Sequence, residues 1–443
     1  MAKVCLKNGK IVLPDRIADG SILLSDGVIE NIMPSGSDAK EAKAIDLQGK
    51  YVLPGFVDIH TNGIAGFDLT NGMYDIATDH FSHKPDEYIR GLKRAMSAYV
   101  ESGVTTAVLT SIAAPLHQLR TVFSLVRQFK ENAATDELAS VFGGLYVEGT
   151  FIHSTANRGG HNPDYFYVPS VELFEDLQKA AGGHVTVVNV PPESGEPALK
   201  LIEHLRSTGV VAAIGHTGAT GEECERAFER GVTLAVHLLN GPNYTSGKSI
   251  YHGGAIEAIL RNDDISVEVI LDGYHVDRSY VRDIIARKTG DRVLGITDSM
   301  FAAALQNLKE FEICGVRGAV SANGEYMQIA DRPRTLLGSR LTMDVAFSNL
   351  ISLLSTDVTG VWTREHKALS LDEAIVQASR MLSGNPARVM GIVAAKEGDI
   401  AARGCIAEGR AADLVVADIM KNMDSYRLKI DSVYKNGIQV VNG

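Results

Sequence analysis

Five polar residues that could bind a metal or transfer a proton each lie at the end of a short apolar run in the 443-residue sequence. They are His60, Glu148, His216, His237 and Asp298. Imidazole nitrogens and carboxylate oxygens are ligands for zinc and similar divalent ions, and the same groups act as general acids and bases. Each residue alone has an ordinary alternative, such as a hydrogen-bonded core histidine or a helix-capping carboxylate. Five at equivalent positions predict one site, provided that the fold brings the run ends together.

The apolar runs have the pattern of buried parallel strands. They are residues 56–60, 105–110, 144–149, 184–190, 210–216, 233–239, 266–272 and 293–298. Near-continuous apolar strands alternating with helices indicate an α/β fold whose parallel sheet is covered on both faces. Eight such units favour a closed (β/α)8 TIM-like barrel, in which the carboxyl ends of the strands meet at one mouth. A doubly wound open sheet is the alternative, but no GxGxxG segment follows the first run.

Amphipathic segments with helical spacing separate these runs. The predicted helices are residues 87–103, 117–130, 171–181, 197–207, 221–230 and 277–288, followed by helices near 342–355 and 371–383.

Both chain ends differ from the middle because they contain short alternating runs broken by Gly, Asp and Asn. Such runs are typical of a small β-sandwich, and chain termini often lie close together. We therefore predict a β-sandwich domain formed by residues 1–53 and 391–443, and a barrel domain over residues 54–390. A hairpin inserted after the eighth strand is predicted over residues 311–330.

Composition excludes several classes of protein. Hydrophobic residues make up 45% and charged residues 22%, which is typical of a globular chain rather than a disordered one. With 43 basic and 54 acidic residues the net charge is −11, which argues against nucleic acid as a partner. No apolar run is long enough to cross a membrane, and the first residues lack a signal-peptide core. The four cysteines form no CxxC pair, which favours a reducing, cytoplasmic location.

Several longer segments resemble the amidohydrolase superfamily in order and spacing, and within it the N-acetylglucosamine-6-phosphate deacetylases. They are VLPGFVDIHTNG, GLYVEGTFI, GGHNPDY, AAIGHTGAT, AVHLLNGPN, LDGYHVD, GITDSM, LLGSRLTM and the tail motif GRAADLVV. The resemblance covers nearly the whole chain, including the split β-sandwich around the barrel. It implies a metal-dependent hydrolase that converts N-acetylglucosamine 6-phosphate to glucosamine 6-phosphate and acetate, in amino-sugar catabolism.

The resemblance also implies roles for individual residues. Glu148, His216 and His237 match the main metal ligands, and Asp298 matches the catalytic acid–base residue. His60 is a possible ligand of a weak second ion. The matching substrate-binding residues are His161, Asn240, Gly241, Lys248, His275, Leu336, Leu337 and Gly338, of which the last three line the acetyl pocket.

Some positions depart from the family pattern. The first run ends in HTN, so that Asn62 stands where many amidohydrolases have a second histidine. We therefore expect one divalent metal per chain, with zinc as the ion that suits this ligand set best. Lys248 stands where the family usually has an arginine that reaches the sugar phosphate of the neighbouring subunit, which implies a homodimer. Lysine keeps the charge but loses the bidentate fork that suits phosphate.

Two further departures are EGT in place of EGP and NGPN in place of an NAM-type run. They do not change the expected type of reaction, but they leave alternatives for the substrate. The alternatives are another N-acetyl hexosamine, such as N-acetylgalactosamine 6-phosphate, an unphosphorylated N-acyl amine, or a cyclic amide. A non-catalytic barrel that binds a sugar phosphate would keep His161, Asn240 and Lys248 and would need no metal. The combination of one glutamate, two histidines and one aspartate at strand ends argues against this last alternative.

Overall fold

A parallel sheet of eight strands forms the centre of the computed structural model. The structure describes residues 3–37, 39, 41–132, 136–240, 244–313, 315–363, 365–394 and 401–442. The barrel strands are β1 (Phe56–Thr61), β2 (Val104–Ser111), β3 (Phe142–Val147), β4 (Val185–Asn189), β5 (Val211–Ile214), β6 (Val232–Ala235), β7 (Ser266–Ile270) and β8 (Val293–Ile296). Each strand pairs with the next in chain order.

Hydrogen bonds at the carboxyl ends of β1 and β8 close the sheet into a barrel. The Asp298 N–H donates to the His60 carbonyl oxygen at 2.9 Å, and the Asn62 N–H donates to the Ser299 carbonyl oxygen at 2.7 Å. The predicted (β/α)8 barrel is therefore confirmed, and every predicted apolar run overlaps one barrel strand.

Helices cover the outside of the barrel, and each has an apolar face toward the strands. The described residues contain α1 (Pro85–Glu101), α2 (Leu116–Asn132), α3 (Val171–Ala180), α4 (Glu196–Thr208), α5 (Gly221–Arg230), α6 (Ala255–Arg261), α7 (Arg278–Arg287), α8 (Met343–Leu354), α9 (Leu371–Ser379) and α10 (Asn385–Val389). The segment predicted as one helix over 371–383 instead changes at Arg380 into a π-helical turn. No described helix is long and apolar enough to cross a membrane.

The two chain ends form one β-domain, as predicted, whose strand pairs are mostly antiparallel. Its strands are Val4–Val12, Ile17–Ser25, Val28–Pro34, Lys43–Asp46, Tyr51–Pro54, Leu414–Asn422, Ser425–Lys435 and Ile438–Asn442. The strand Leu414–Asn422 pairs with Tyr51–Pro54, which joins the end of the chain to its beginning. A separate apolar cluster that includes Leu6, Ile22 and Val416 fills this domain. The domain boundaries at residues 53 and 391 stay a prediction.

Two small antiparallel sheets lie beside the barrel mouth, and one of them contains the predicted hairpin. The larger insertion comprises Glu310–Ile313, Val316–Val320, Met327–Ile329 and Arg332–Leu336, so that it extends beyond residues 311–330. The second sheet was not predicted and comprises Gly63–Ile64, Phe67–Asp68, Gly72–Asp75 and His80–Ser82. Tyr74 and Phe311 both pack against the buried ring of Phe301, which connects the two sheets. A further short ribbon pairs Val358–Thr359 with Glu365–His366.

Candidate metal centre and active site

The five residues predicted to bind a metal or transfer a proton lie close together at the mouth of the barrel. The Nε2 atoms of His60, His216 and His237 lie 3.5, 3.2 and 3.0 Å from Glu148 Oε1, respectively. Asp298 Oδ1 lies 3.5 Å from His60 Nε2. The residues lie in β1 or within two positions after β3, β5, β6 and β8. The convergence of strand ends expected from the sequence is thus present.

Each of the three histidines uses Nδ1 for a hydrogen bond to an oxygen. The pairs are His60 with Glu268 Oε2 at 2.9 Å, His216 with the Asn157 carbonyl at 2.9 Å, and His237 with the Asn240 carbonyl at 3.0 Å. Carbonyl and carboxylate oxygens only accept hydrogen bonds, so that Nδ1 carries the proton in each ring. The Nε2 atom of each neutral ring therefore carries a lone pair.

These three lone pairs face a carboxylate oxygen, which is also an acceptor. Acceptors in contact at about 3 Å require a cation or a proton between them. His60 Nε2 is buried and has no hydrogen-bond partner within the described part of the chain. A set of imidazole nitrogens and one carboxylate, with the outer nitrogens held by oxygens, is the arrangement that a divalent metal requires. The residues present therefore fit such an ion.

His161 differs from the other histidines because its ring has the opposite tautomer. The Ala113 N–H donates to His161 Nδ1 at 3.2 Å, which leaves the proton on Nε2. That Nε2 lies 3.6 Å from Glu148 Oε2. Among the described residues, Glu148 forms one possible ligand group with His60 and His237 and another with His161 and His216. The tautomer nevertheless makes His161 a hydrogen-bond donor facing the site rather than a metal ligand.

Three residues of the centre have a left-handed backbone that is uncommon outside glycine. The φ angles are 50° at His216, 22° at His237 and 46° at Asp298. Such strain persists only where surrounding contacts maintain it, and it is concentrated at functional sites. At His237 the N–H donates to Glu268 Oε2 at 3.1 Å, which provides one such contact. The turn after each strand therefore directs these side chains into the mouth.

The charges at the centre act differently on its three histidines. Burial lowers the pKa of His60 and His237, but the neighbouring carboxylates outweigh it and raise both, so that a proton or a cation is favoured beside these two rings. Burial lowers the pKa of His216 to about 4, so that this ring is neutral at pH 7. Burial opposes ionisation of Glu148, but the neighbouring His60 and His161 outweigh it and hold the pKa of this carboxyl well below its usual range. A neutral imidazole and an ionised carboxylate are the forms that bind metal ions.

The sequence profile of the amidohydrolase family matches residues 51–440, which is most of the chain. The protein belongs to the amidohydrolase family. Enzymes of this family depend on metals, in agreement with the ligand set at the barrel mouth.

Relatives of this amidohydrolase include several deacetylases. It is 27% identical over 380 residues to the N-acetylglucosamine-6-phosphate deacetylase of Haemophilus influenzae, an alignment that covers 85% of this chain and 87% of the relative. It is also 27% identical over 400 residues to the N-acetylgalactosamine-6-phosphate deacetylase of Escherichia coli O157:H7, with 90% and 91% covered. The crystal structure of the Mycobacterium smegmatis N-acetyl-D-glucosamine-6-phosphate deacetylase superposes with a TM-score of 0.79 at 25% identity, covering 99% of this chain and 100% of that one.

Two buried polar residues that support the amidohydrolase centre were missed in the sequence. Glu268 on β7 orients His60, and Asn189 at the end of β4 donates to the carbonyl oxygens of Glu148 and Gly215 at 3.2 Å each. Asn189 thereby fixes the strand ends that precede two proposed ligands. The available signal was a charged or amide residue inside an otherwise apolar run.

The residues expected from the resemblance to bind the substrate differ in their burial and in their position around the mouth. His275 Nδ1 lies 2.6 Å from Asp272 Oδ2. Leu337 is buried, and a Cβ atom at Gly160 would lie 3.5 Å from Leu337 Cδ1, which places Leu337 beside the segment containing His161. Leu336 and Gly338 are half-buried on either side of Leu337.

Two other expected substrate contacts lie in the loop after β6. Lys248 is exposed, and Gly241 lies outside the described residues.

Gly159, just before the HNPDY segment, explains why the loop after β3 approaches the metal centre closely. A Cβ there would lie 2.9 Å from His216 Cε1, and its φ of 57° also favours glycine.

Proposed function

We propose that this amidohydrolase removes the acetyl group of N-acetylglucosamine 6-phosphate and releases glucosamine 6-phosphate and acetate. The observation that carries the proposal is the convergence of three Nε2 lone pairs on Glu148 beside the Asp298 carboxylate. The deacetylase names of the relatives support the choice of substrate.

Glu148, His216 and His237 would hold one divalent ion, since both Nε2 atoms approach Glu148 Oε1, and the donor set suits zinc. When bound, this ion supplies Lewis-acid chemistry, which polarises the acetamide carbonyl and acidifies a water molecule. Burial of the ligands excludes competing solvent, and their outer hydrogen bonds keep each imidazole in the orientation that binding needs.

Asp298 is proposed as the group that moves the proton. Its carboxylate removes a proton from the attacking water and later delivers it to the nitrogen of the departing amine. Asn62 Nδ2 donates to Asp298 Oδ1 at 2.9 Å, which orients the carboxylate and leaves Oδ2 for the reaction. Because the Asp298 N–H is bound to the His60 carbonyl, the base is fixed relative to the metal ligands.

The amino sugar would be held by groups around this base. His161 offers an Nε2–H to a substrate oxygen, and His275 offers a second imidazole at the end of β7. Asn240 and Gly241 follow the ligand His237 and are proposed to contact the sugar. Leu336, Leu337 and Gly338 are proposed to line the pocket for the acetyl methyl group.

An assay panel tests the function. Purified protein should release acetate from N-acetylglucosamine 6-phosphate faster than from its unphosphorylated form, from other N-acyl amines or from cyclic amides. N-acetylgalactosamine 6-phosphate is the second candidate, because an N-acetylgalactosamine-6-phosphate deacetylase has the same identity to this chain as the glucosamine relative. If the protein prefers that epimer, N-acetylgalactosamine 6-phosphate becomes the proposed substrate. Binding without acetate release from any substrate would favour a sugar-phosphate-binding barrel.

The metal content of the purified protein should be close to one ion per chain. All three Nε2 atoms approach the same oxygen of Glu148, and the Asn62 amide donates to Asp298 instead of offering a second imidazole. A second cation nearby must overcome strong repulsion, and His60 alone is a weak anchor for it. Elemental analysis should show this ratio, and Asn62→His should raise it. Two ions in the unmodified protein, both required for activity, would contradict the single-metal proposal.

Lys248 is proposed to bind the 6-phosphate in the site of a partner subunit of a homodimer. It lies exposed in the loop that follows the ligand His237, on the active-site side of the barrel. Lys248→Ala should raise KM for the phosphorylated substrate by about tenfold or more, because a charge-assisted hydrogen bond is lost. An unphosphorylated substrate should be nearly unaffected.

The exposed Lys200 on α4 provides the matched control, since Lys200→Ala removes the same charge away from the mouth. Equal effects of Lys248→Ala on both substrates, or none on either, would exclude the phosphate role. Sedimentation analysis of the unmodified protein tests the dimer separately.

The reaction is proposed to take place in the cytoplasm. The support is the phosphorylated substrate together with a sequence of four scattered cysteines without a CxxC pair. Fractionation of the cells that produce the protein tests this location.

A further inference from the structure

The loop that follows β7 contains a buried carboxylate–imidazole pair outside the metal centre. Asp272 Oδ2 lies 2.6 Å from His275 Nδ1, and the side chains of the two residues are only 5% and 3% exposed. A hydrogen bond this short between buried groups is typical of a charge-assisted contact. The carboxylate accepts, so that Nδ1 of His275 carries a proton.

The two oxygens of Asp272 have different partners, which fixes the orientation of the carboxylate. Asp272 Oδ1 accepts the backbone N–H groups of Tyr274 and His275 at 2.8 and 2.9 Å. Only Oδ2 therefore faces the imidazole. Burial would raise the pKa of Asp272, but the hydrogen bonds that it accepts from His275 outweigh burial and lower this pKa, so that the carboxyl stays ionised.

The opposite nitrogen of His275 is available to a ligand. His275 Nε2 has no hydrogen-bond partner within the described ranges, and the residue lines a cavity of about 1160 Å³. Leu239 and Asn240, which follow the proposed metal ligand His237, line the same cavity. His275 therefore lines the same cavity as Asn240, which is also proposed to contact the amino sugar.

The inserted sheet holds the loop in place from the other side. The Tyr274 hydroxyl donates to Glu325, and Asn323 Nδ2 donates to that hydroxyl at 3.2 Å. The rings of Tyr274 and Tyr326 lie 4.7 Å apart. These contacts fix the backbone on which the carboxylate–imidazole pair is built, so that the pair is arranged before a ligand arrives.

We propose that Asp272 is a positioning residue that fixes the tautomer of His275, so that Nε2 presents a lone pair to a hydroxyl or N–H group of the bound amino sugar. The role rests on the proposed deacetylase function. It follows from the general rule that the hydrogen bond at one ring nitrogen decides the state of the other. Asp272 acts through His275 and does not itself contact the substrate.

The variant Asp272→Asn tests this role sharply. The backbone N–H groups of Tyr274 and His275 still require an acceptor, so that the amide oxygen takes the place of Oδ1 and the NH₂ group faces His275 Nδ1. The ring must then accept at Nδ1 and carry its proton on Nε2. Nε2 of the neutral ring thereby changes from an acceptor to a donor.

Nitrogen-15 NMR of the imidazole, at a pH where the ring is neutral, should show the proton on Nδ1 in the unmodified protein and on Nε2 in Asp272→Asn. The kcat/KM for N-acetylglucosamine 6-phosphate should fall about 10- to 100-fold, because a buried polar contact becomes mismatched. In a His275→Gln background the same substitution should have almost no further effect. Asp264→Asn, an exposed change just before β7, should leave both readouts unchanged.

A proton on Nδ1 in both proteins, or a full loss of kcat/KM in the His275→Gln background, would overturn the positioning role. A tautomer change in a protein that deacetylates no substrate of the panel would support that role while refuting the proposed function. If Asp272→Asn does not fold, Asp272→Ser retains an acceptor for the backbone and removes the partner of Nδ1. It should then show both tautomers, and a single Nδ1–H tautomer would overturn the proposal.

Discussion

Replacement of Asp298 by asparagine is expected to lower kcat by about 10²- to 10⁴-fold while the fold and the metal content are retained. The amide has nearly the same shape, but it cannot take a proton from the attacking water. Asn62 Nδ2 donates to Asp298 Oδ1, so that the amide oxygen of the variant should occupy this position. Its NH₂ group would then face the attacking water as a hydrogen-bond donor, at the place where a base is required.

The backbone should tolerate this change. Asp298 has a φ of 46°, and asparagine is among the residues that adopt this left-handed region most readily. The hydrogen bond from the residue 298 N–H to the His60 carbonyl does not depend on the side chain. A loss of turnover should therefore reflect chemistry rather than unfolding.

Acetate release under saturating substrate measures the effect, with elemental analysis and thermal unfolding on the same preparation. Asp291→Asn, an exposed change near the start of β8, is the matched control and should behave like the unmodified protein. Near-normal kcat in Asp298→Asn with its metal retained would exclude the proposed base.

The barrel could be predicted from the sequence because its strands are buried on both faces. Residues 104–111 are buried throughout, and such runs stand out from the amphipathic helices between them. The sheet over Gly63–Ser82 could not be predicted, because its strands contain two to four residues and show no periodicity. The helix Ala255–Arg261 was missed for a similar reason, since seven residues form fewer than two full turns.

The candidate site also has residues that the sequence could predict and contacts that it could not. Strand ends gave His60, Glu148, His216, His237 and Asp298, because one topological rule brings them together. The hydrogen bonds that decide which ring nitrogen carries a lone pair could not be predicted. Glu268 contacts His60 across 208 residues of sequence, and only closure of the barrel brings β7 and β1 close enough. His161 and His216 look alike in sequence, and their opposite tautomers follow from the backbone groups that each ring contacts.

Replacement of Asp413 in the tail motif GRAADLVV should destabilise the protein by about 3–5 kcal/mol. The carboxylate is buried and accepts hydrogen bonds from Arg403, from Lys435 Nζ at 2.9 Å and from the Asn436 N–H at 2.9 Å. Lys435 Nζ also donates to the Thr105 carbonyl of β2 at 2.8 Å, so that the ion pair connects the β-domain to the barrel. Asp413 therefore has a structural role, at a distance from the mouth of the barrel.

Asp413→Leu leaves the fully buried Lys435 without its anion. Burial already lowers the pKa of Lys435 to about 8 with Asp413 present. In the variant the amine must either stay charged without a counterion or give up its proton, and both outcomes cost folding free energy. Urea unfolding measures the loss, and Asp424→Ala, at the exposed turn of the same hairpin, should change the free energy of unfolding by less than about 0.5 kcal/mol.

The double variant Asp413→Leu/Lys435→Met separates the unpaired charge from lost packing. If an uncompensated cation causes the damage, removal of the amine should recover about half of the loss or more, because apolar groups can replace a buried ion pair. Arg403, which is partly exposed and also donates to Asn436 Oδ1, can reach solvent and should not prevent this recovery. A double variant as unstable as the sum of both single changes would show that the two residues act independently.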